Sequence, residues 1–414
     1  MINKVTVQSD IKIFETVDSS IRQTQTDILP IQSVSSTITT SDNIDLDTIL
    51  ENLKKPETAI QSLCYLTNFH DLNSLLNQKT ELIPLILTFV SPNTPNLIIP
   101  SLQFIEKCCS IQNFPAFLLN FISLQNLSEL AFTINSKQAI IYIDEIISSI
   151  VLLVGQSAEQ DILQFITRTD QLEVDSLKAA SINILHAYLQ NTLSYTEFLQ
   201  NIDLINRLNL NLLMINFPKQ LIATLKTIDF CIKSLDIPCA SFNASQIIKL
   251  IKCNIISIQV LSISIITTIL LRCTSDDFAL KSKLCKSLHW TFVNGSIKSK
   301  LKALFCLRTF IDLCSDQFPP IMELLDDNFF DSLFNLLSSG NNGSIEAISF
   351  LIFLVQADSH PQFKQRAIQS ILDFDIHEQL ESLASTEDKI IASHSLVLLN
   401  MTERLSDIQS EAVL

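Results

Sequence analysis

The stretch Asn328–Gln356, NFFDSLFNLLSSGNNGSIEAISFLIFLVQ, decides the fold. Phe330, Leu333, Phe334 and Leu337 fall at helical spacing, and Ser338–Gly343 then breaks the helix. Beyond the break, Ala347, Leu351 and Leu354 form one stripe at i, i+4, i+7. The expectation is two helices joined by a six-residue link, the second with a small residue followed by two large apolar ones on one face.

That small-large-large pattern recurs. Taking the small or hydroxyl residue of each candidate second helix gives Ala59, Ser101, Ala139, Ala180, Ala223, Ser262, Ala303, Ala347 and Ala392. Successive steps are 42, 38, 41, 43, 39, 41, 44 and 45 residues. Four residues on stand Leu63, Ile105, Ile143, Ile184, Thr227, Ile266, Leu307, Leu351 and Leu396, where only Thr227 departs from the apolar pattern. Seven on stand Leu66, Cys108, Ile146, Ala187, Phe230, Ile269, Phe310, Leu354 and Leu399. A preceding amphipathic helix is visible in most units, for example Ile162–Ile166, Ile247–Ile251 and Leu284–Leu288. One helical hairpin cannot bury both faces, whereas stacking it on its neighbours does. The sequence therefore predicts an all-α fold, a solenoid of about nine units over residues 45–414. The least regular unit spans Ser110–Ser136.

Residues 1–44 differ. They are rich in Ser, Thr, Gln and Asp, hold no lasting helical stripe, and read as a disordered or partly ordered tail with short apolar spots at Ile11, Ile13, Phe14, Ile28, Leu29 and Ile31.

Composition narrows the function. Of the 414 residues 47% are hydrophobic and 17% charged, and mean hydropathy is +0.32. With Gly155, Gly295, Gly340 and Gly343 as the only glycines, neither a phosphate loop nor a dinucleotide-binding turn can be built. No nucleophile elbow is present. Cys285 and His289 share a helix face but lack a second ligand pair. The acidic cluster Glu323, Asp326, Asp327 and Asp331 lacks calcium-loop spacing and reads as helix N-terminal charge. The expectation is a chain with no catalytic centre, no cofactor and no metal. The 10 cysteines show no pairing framework, and the start MINKVTVQSDIKIF has no signal-peptide core. These point to reduced thiols in a cytoplasmic or nuclear protein.

Net charge is −15, which disfavours nucleic acid and an anionic membrane as partners. Between Pro218 and Arg308, however, thirteen Lys and Arg stand against Asp229, Asp236, Asp276 and Asp277, a net +9; the rest of the chain carries 15 bases and 39 acids, or −24. Lys281, Lys283, Lys286, Lys298, Lys300, Lys302 and Arg308 form the densest part, with no acid between Phe278 and Ile311. This group is the first candidate binding surface, suited to an acidic peptide or protein, and it also reads as the solvated face of one repeat. A rival reading concerns the 19 uncharged residues Cys253–Leu271, long enough to span a bilayer. Their seven polar side chains and their phase with the repeat favour a buried helix.

Helical hairpins of about forty residues with this small, +4 and +7 pattern resemble armadillo repeats, and HEAT repeats are a near alternative. The resemblance implies a right-handed superhelix whose last helices line a concave groove for peptides or protein partners. Nuclear-import adaptors of the importin-alpha type are similar in length and carry Trp at +2 and Asn at +6. Here the +2 residues are Gln61, Gln103, Ile141, Ile182, Leu225, Ser264, Phe305, Ser349 and His394. The +6 residues are Tyr65, Lys107, Glu145, His186, Asp229, Thr268, Thr309, Phe353 and Leu398, so neither Trp nor Asn stands in its place. The +6 line from Tyr65 to Thr309 is the second candidate contact surface. The function expected is that of a non-enzymatic interaction scaffold. The alternatives are a diverged transport adaptor and a membrane-associated helical protein. Nothing in the sequence sets the oligomeric state.

Overall fold

The computed structural model describes residues 46–69, 71–134, 136–191, 203–272, 278–313, 323–357, 361–374 and 376–412. The tail 1–44, His70, Asp276, Asp277 and Pro319-Pro320 lie outside the described residues. The chain divides at Lys54/Lys55 into two compact units. The first contains helix α1 (Leu46–Leu53), whose Ile49, Leu50 and Leu53 are buried.

The second unit is helical throughout its described residues. It begins with α2 (Pro56–Thr67), α3 (Leu72–Gln78), α4 (Leu82–Leu87), α5 (Pro95–Cys109), α6 (Phe114–Leu118), α7 (Leu124–Thr133) and α8 (Lys137–Val154). It continues with α9 (Glu159–Asp170), α10 (Asp175–Asn191), α11 (Leu204–Asn211), α12 (Pro218–Ser234), α13 (Ala244–Leu250) and α14 (Ile256–Arg272). Then come α15 (Phe278–Asn294), α16 (Ile297–Leu313), α17 (Asp327–Leu337), α18 (Asn341–Val355), α19 (Pro361–Asp373), α20 (His377–Ala384) and α21 (Lys389–Ala412).

Helix starts follow local chemistry. Pro56, Pro95 and Pro218 occupy the first turn, where the missing N–H costs nothing. Ser123, Ser136, Asn243 and Asp326 accept from backbone N–H groups of the first turn. In the stretch that decides the fold, α18 starts at Asn341, so the link is shorter than the sequence suggested and Gly343 lies inside the helix. A Cβ on Gly343 would stand 2.0 Å from Ser339 Oγ. Its bare Cα lets the chain close the tight turn that Gly340 opens at φ 74°.

The anchor helices α2, α5, α8, α10, α12, α14, α16, α18 and α21 pack in order, each against the next. Hydrogen bonds tie residues about one period apart. Lys107 Nζ donates to Thr67 O, Asn183 Nδ2 to Asp144 Oδ2, and Ser299 Oγ to Gln259 Oε1. From Ala59 to Ala347 every anchor residue is buried, as is every +4 residue from Leu63 to Leu351. Thr227, the apparent exception, donates its hydroxyl to Ala223 O at 2.9 Å and so satisfies itself within its own helix. The irregular third unit keeps the pattern, with Ala139, Ile143 and Ile146 buried. At +7, Phe230 and Ile269 are only half-buried.

Two expectations are corrected. In α21 the register turns by one residue: Ile391, Ser395 and Leu398 are buried, while Leu396 is 50% exposed. Also, several units are more than hairpins. A short leading element precedes the pair in α3, in α6, in the 3-10 turns Gly155–Ala158 and Cys239–Ser241, and in α19. All of these but α19, which has 13 residues, are too short to print a helical period in the sequence.

The uncharged run Cys253–Leu271 is divided: Cys253–Ile255 lies in a link, and α14 packs between α12 and α16. Gln259, Ser262 and Thr267 of α14 are buried. By length and hydropathy a different stretch, Lys137–Asp170, would suffice to cross a membrane, and half of its most apolar window is buried within the fold.

Candidate functional site

The first candidate surface is split by the fold. Gly295 and Ser296 fold α15 back on α16, so Lys281, Lys283 and Lys286 stand at one end of the hairpin. Lys298, Lys300 and Lys302 lie nearer the turn, offset along the helix axis by about 12 Å on average, from about 5 Å between Lys286 and Lys302 to about 18 Å between Lys281 and Lys298. Lys283 and Lys286 are exposed; Lys281, Lys298 and Lys302 are half-buried. Arg308 is half-buried, its guanidinium 5.3 Å from the Phe353 ring centre.

Lys300 is also half-buried, and Nζ reaches Ser332 Oγ at 3.4 Å. Burial lowers its ammonium from the usual lysine range, and Asp331 opposes that shift. The absence of acids in the chain segment is thus not an absence in space, because α17 brings its own carboxylates alongside. Asp326 caps α17 at Phe329 N and pairs with His289 Nε2 at 3.0 Å; Asp327 meets Arg366 at 2.5 Å. These roles agree with the reading of the acidic cluster as N-terminal charge. Cys285 is buried and His289 stacks on Phe329. Among the described residues no group of three or more His, Cys, Asp or Glu could hold a metal ion.

The second candidate, the +6 line, is mostly half-buried. The Tyr65 ring packs tilted against Phe69 at 6.1 Å, and Thr268 bonds back to Ser264 O. Lys107 is committed to the last turn of α2 through Thr67 O. Thr309 is buried and bonds to Phe305 O, so it is a structural position rather than a contact point. Glu145 is exposed. His186 packs edge-on against Phe230 at 5.1 Å; burial, with Lys226 adding to it, holds its pKa down to about 4. Its Nδ1 and Asp229 Oδ1 have no hydrogen-bond partner among the described residues, although Asp229 Oδ2 pairs with Lys233.

Two +5 positions that no motif singled out, Glu106 and Asp144, carry perturbed carboxyl groups. The Asp144 carboxyl is pushed up to about 8, chiefly by burial and further by Glu145, against bonds from Asn183 and Ser148. Glu106, one helix earlier, is also raised, by burial first and then by Glu145. Glu106, Asp144, Glu145, Asn183, His186 and Lys226 therefore make a continuous polar tract across α5, α8, α10 and α12. The tract can accept cationic or hydrogen-bond-donating groups; it offers no nucleophile activated by a base. A carboxylate one residue before the +6 position in the second and third units, Glu106 and Asp144, was the available sequence signal.

No family model matches the chain, and no curated protein matches it. Among solved structures, one engineered protein is similar over 87% of this chain and 99% of its own, at 13% identity and a TM-score of 0.45. Another covers 78% of this chain and 96% of its own, at 10% identity and a TM-score of 0.30. Likenesses this distant decide nothing about the fold or the function.

Proposed function

We propose that the chain is a non-enzymatic scaffold, an armadillo-like solenoid of about nine repeats that binds a protein or peptide along the exposed side of its stacked last helices. The observation that carries this reading is the ordered packing of α2, α5, α8, α10, α12, α14, α16, α18 and α21, each on its successor. Such stacking turns equivalent positions of separate repeats into one extended surface. The short leading elements favour three-helix armadillo units over HEAT hairpins. A scaffold of this kind is at home in the cytoplasm or the nucleus.

Capture of partners from cell extract by the purified full chain, at low and high salt, tests it. Glu145→Lys and His186→Ala should each weaken retention of a specific partner by about tenfold, with the melting temperature unchanged for the exposed Glu145→Lys and the helical circular dichroism kept by His186→Ala, which also loses its contact with Phe230. Retention indifferent to both changes would remove the +6 surface from consideration.

A diverged transport adaptor is the second reading, favoured by one feature. Glu106, Asp144 and Glu145 crowd carboxyl groups on α5 and α8, and a lysine-rich segment would relieve that crowding. Competition by a lysine-rich peptide for the captured partner distinguishes it from a scaffold for acidic partners.

A further inference from the structure

We infer that the helix-entry rim of the fifth to seventh repeats is a docking edge for an anionic lipid surface. The rim is set by direction. Gln220 N donates to Asp175 Oδ1, joining the N-terminal ends of α10 and α12. Ser299 Oγ donates to Gln259 Oε1, joining those of α14 and α16. Arg272 donates to Ile232 O, joining the C-terminal ends of α12 and α14. The four helices therefore run the same way, and the links that enter α12, α14 and α16 lie on one edge.

Those links expose large aliphatic side chains where loops are ordinarily polar. Leu213 is 54% exposed and Ile215 56% before α12; Ile256 is 47% exposed at the start of α14 and Ile297 56% at the start of α16. They stand at the entries of successive helices spaced about 10 Å apart, as points along an edge. A planar lipid interface can take all of them at once.

The charge on the same edge selects the headgroup. Lys249 and Lys252 are exposed at the end of α13, and Lys219 and Lys298 are half-buried in the first turns of α12 and α16. Of the described acids of this segment, Asp229 lies in the second half of α12, away from the rim, and Asp236 lies beyond the far end of the helix. At the borders of the rim, Glu173 and Asp175 precede it, and Asp331 stands beside Lys300. A protein with a net charge of −15 thus turns a basic, aliphatic edge outward, the combination that anionic bilayers attract.

The test is flotation of the full chain with vesicles of phosphatidylcholine alone or with a quarter of the lipid replaced by phosphatidylserine. Binding to the anionic vesicles only, weakened by salt, is the expected result. Replacing Leu213, Ile215, Ile256 and Ile297 with Ser should lower partitioning at least tenfold with unchanged circular dichroism and melting. The double variant Lys252→Glu, Lys298→Glu should do the same. Equal flotation with neutral vesicles, no flotation with either, or full binding by the folded quadruple variant would each overturn the inference. The last two outcomes would hand the rim to a protein partner.

Discussion

Asn183 Nδ2 on α10 donates to Asp144 Oδ2 on α8 at 2.6 Å, a bond between equivalent helices of adjacent repeats. Burial makes this the place where stacking and protonation meet.

Asp144 should make stability fall with rising pH. Its folded pKa of about 8 lies above the ordinary 3.8, so the folded chain holds a proton that the unfolded chain releases. The stabilisation is complete below about pH 4 and is lost progressively as pH rises to about 8. Asp144→Asn keeps the shape and removes the titration. Its melting temperature should gain on the wild type between pH 5 and pH 8, ending roughly a few degrees higher. Parallel melting curves at every pH would refute the assignment.

Leu351 and Leu396 occupy the same column but not the same environment. Leu351 is fully buried, and Leu351→Ala should cost about 2–5 kcal/mol in denaturant titration. Leu396→Ala should stay within about 0.5 kcal/mol, because the turned register of α21 leaves that side chain in solvent.

Gly295 is needed for closeness. A Cβ there would approach Thr291 O to 2.4 Å, and that carbonyl already accepts from Gly295 N at 2.7 Å. Thr291 in turn donates to Ile251 O, one repeat back. Gly295→Ala should destabilise by about 1–3 kcal/mol, read in the same titration.

Charge reversal should separate the two lysine groups. Lys300→Glu sets a carboxylate beside Asp331 in a half-buried position and should lower the melting temperature by roughly a few degrees. Lys283→Glu, on an exposed position, should leave it unchanged.

Among the cysteines of the described residues, thiol labelling of the native protein should begin at Cys64, which is exposed. Cys231 and Cys306 are buried and their pKa values are pushed up to about 12, by burial first. They should label only in denaturant, as read by mass spectrometry of the modified peptides. Early labelling of Cys306 would place it outside the core.

Helical class was legible because the apolar period is local. The columns through Ala59, Leu63 and Leu66, repeated to Leu354, needed only the turn of 3.6 residues and the roughly forty-residue step. The register of α21 was not legible, since that helix packs on α18, α19 and α20 and more than one phase of its sequence buries enough apolar surface. The leading elements other than α19 escaped because three to seven residues hold too few turns to show a period.

The sites divide along the same line. The sequence by itself determined which residues are charged, which helices carry them, and that their equivalents recur every forty residues or so. Only the tertiary structure decided what each charge faces. Stacking brings Asp331 to Lys300, Asn183 to Asp144 and Phe353 to Arg308, and folding back parts Lys281 from Lys298. Helical period depends on neighbours three and four residues away, whereas desolvation and Coulomb interaction depend on whatever packs within a few ångströms, and here much of that comes from a repeat away.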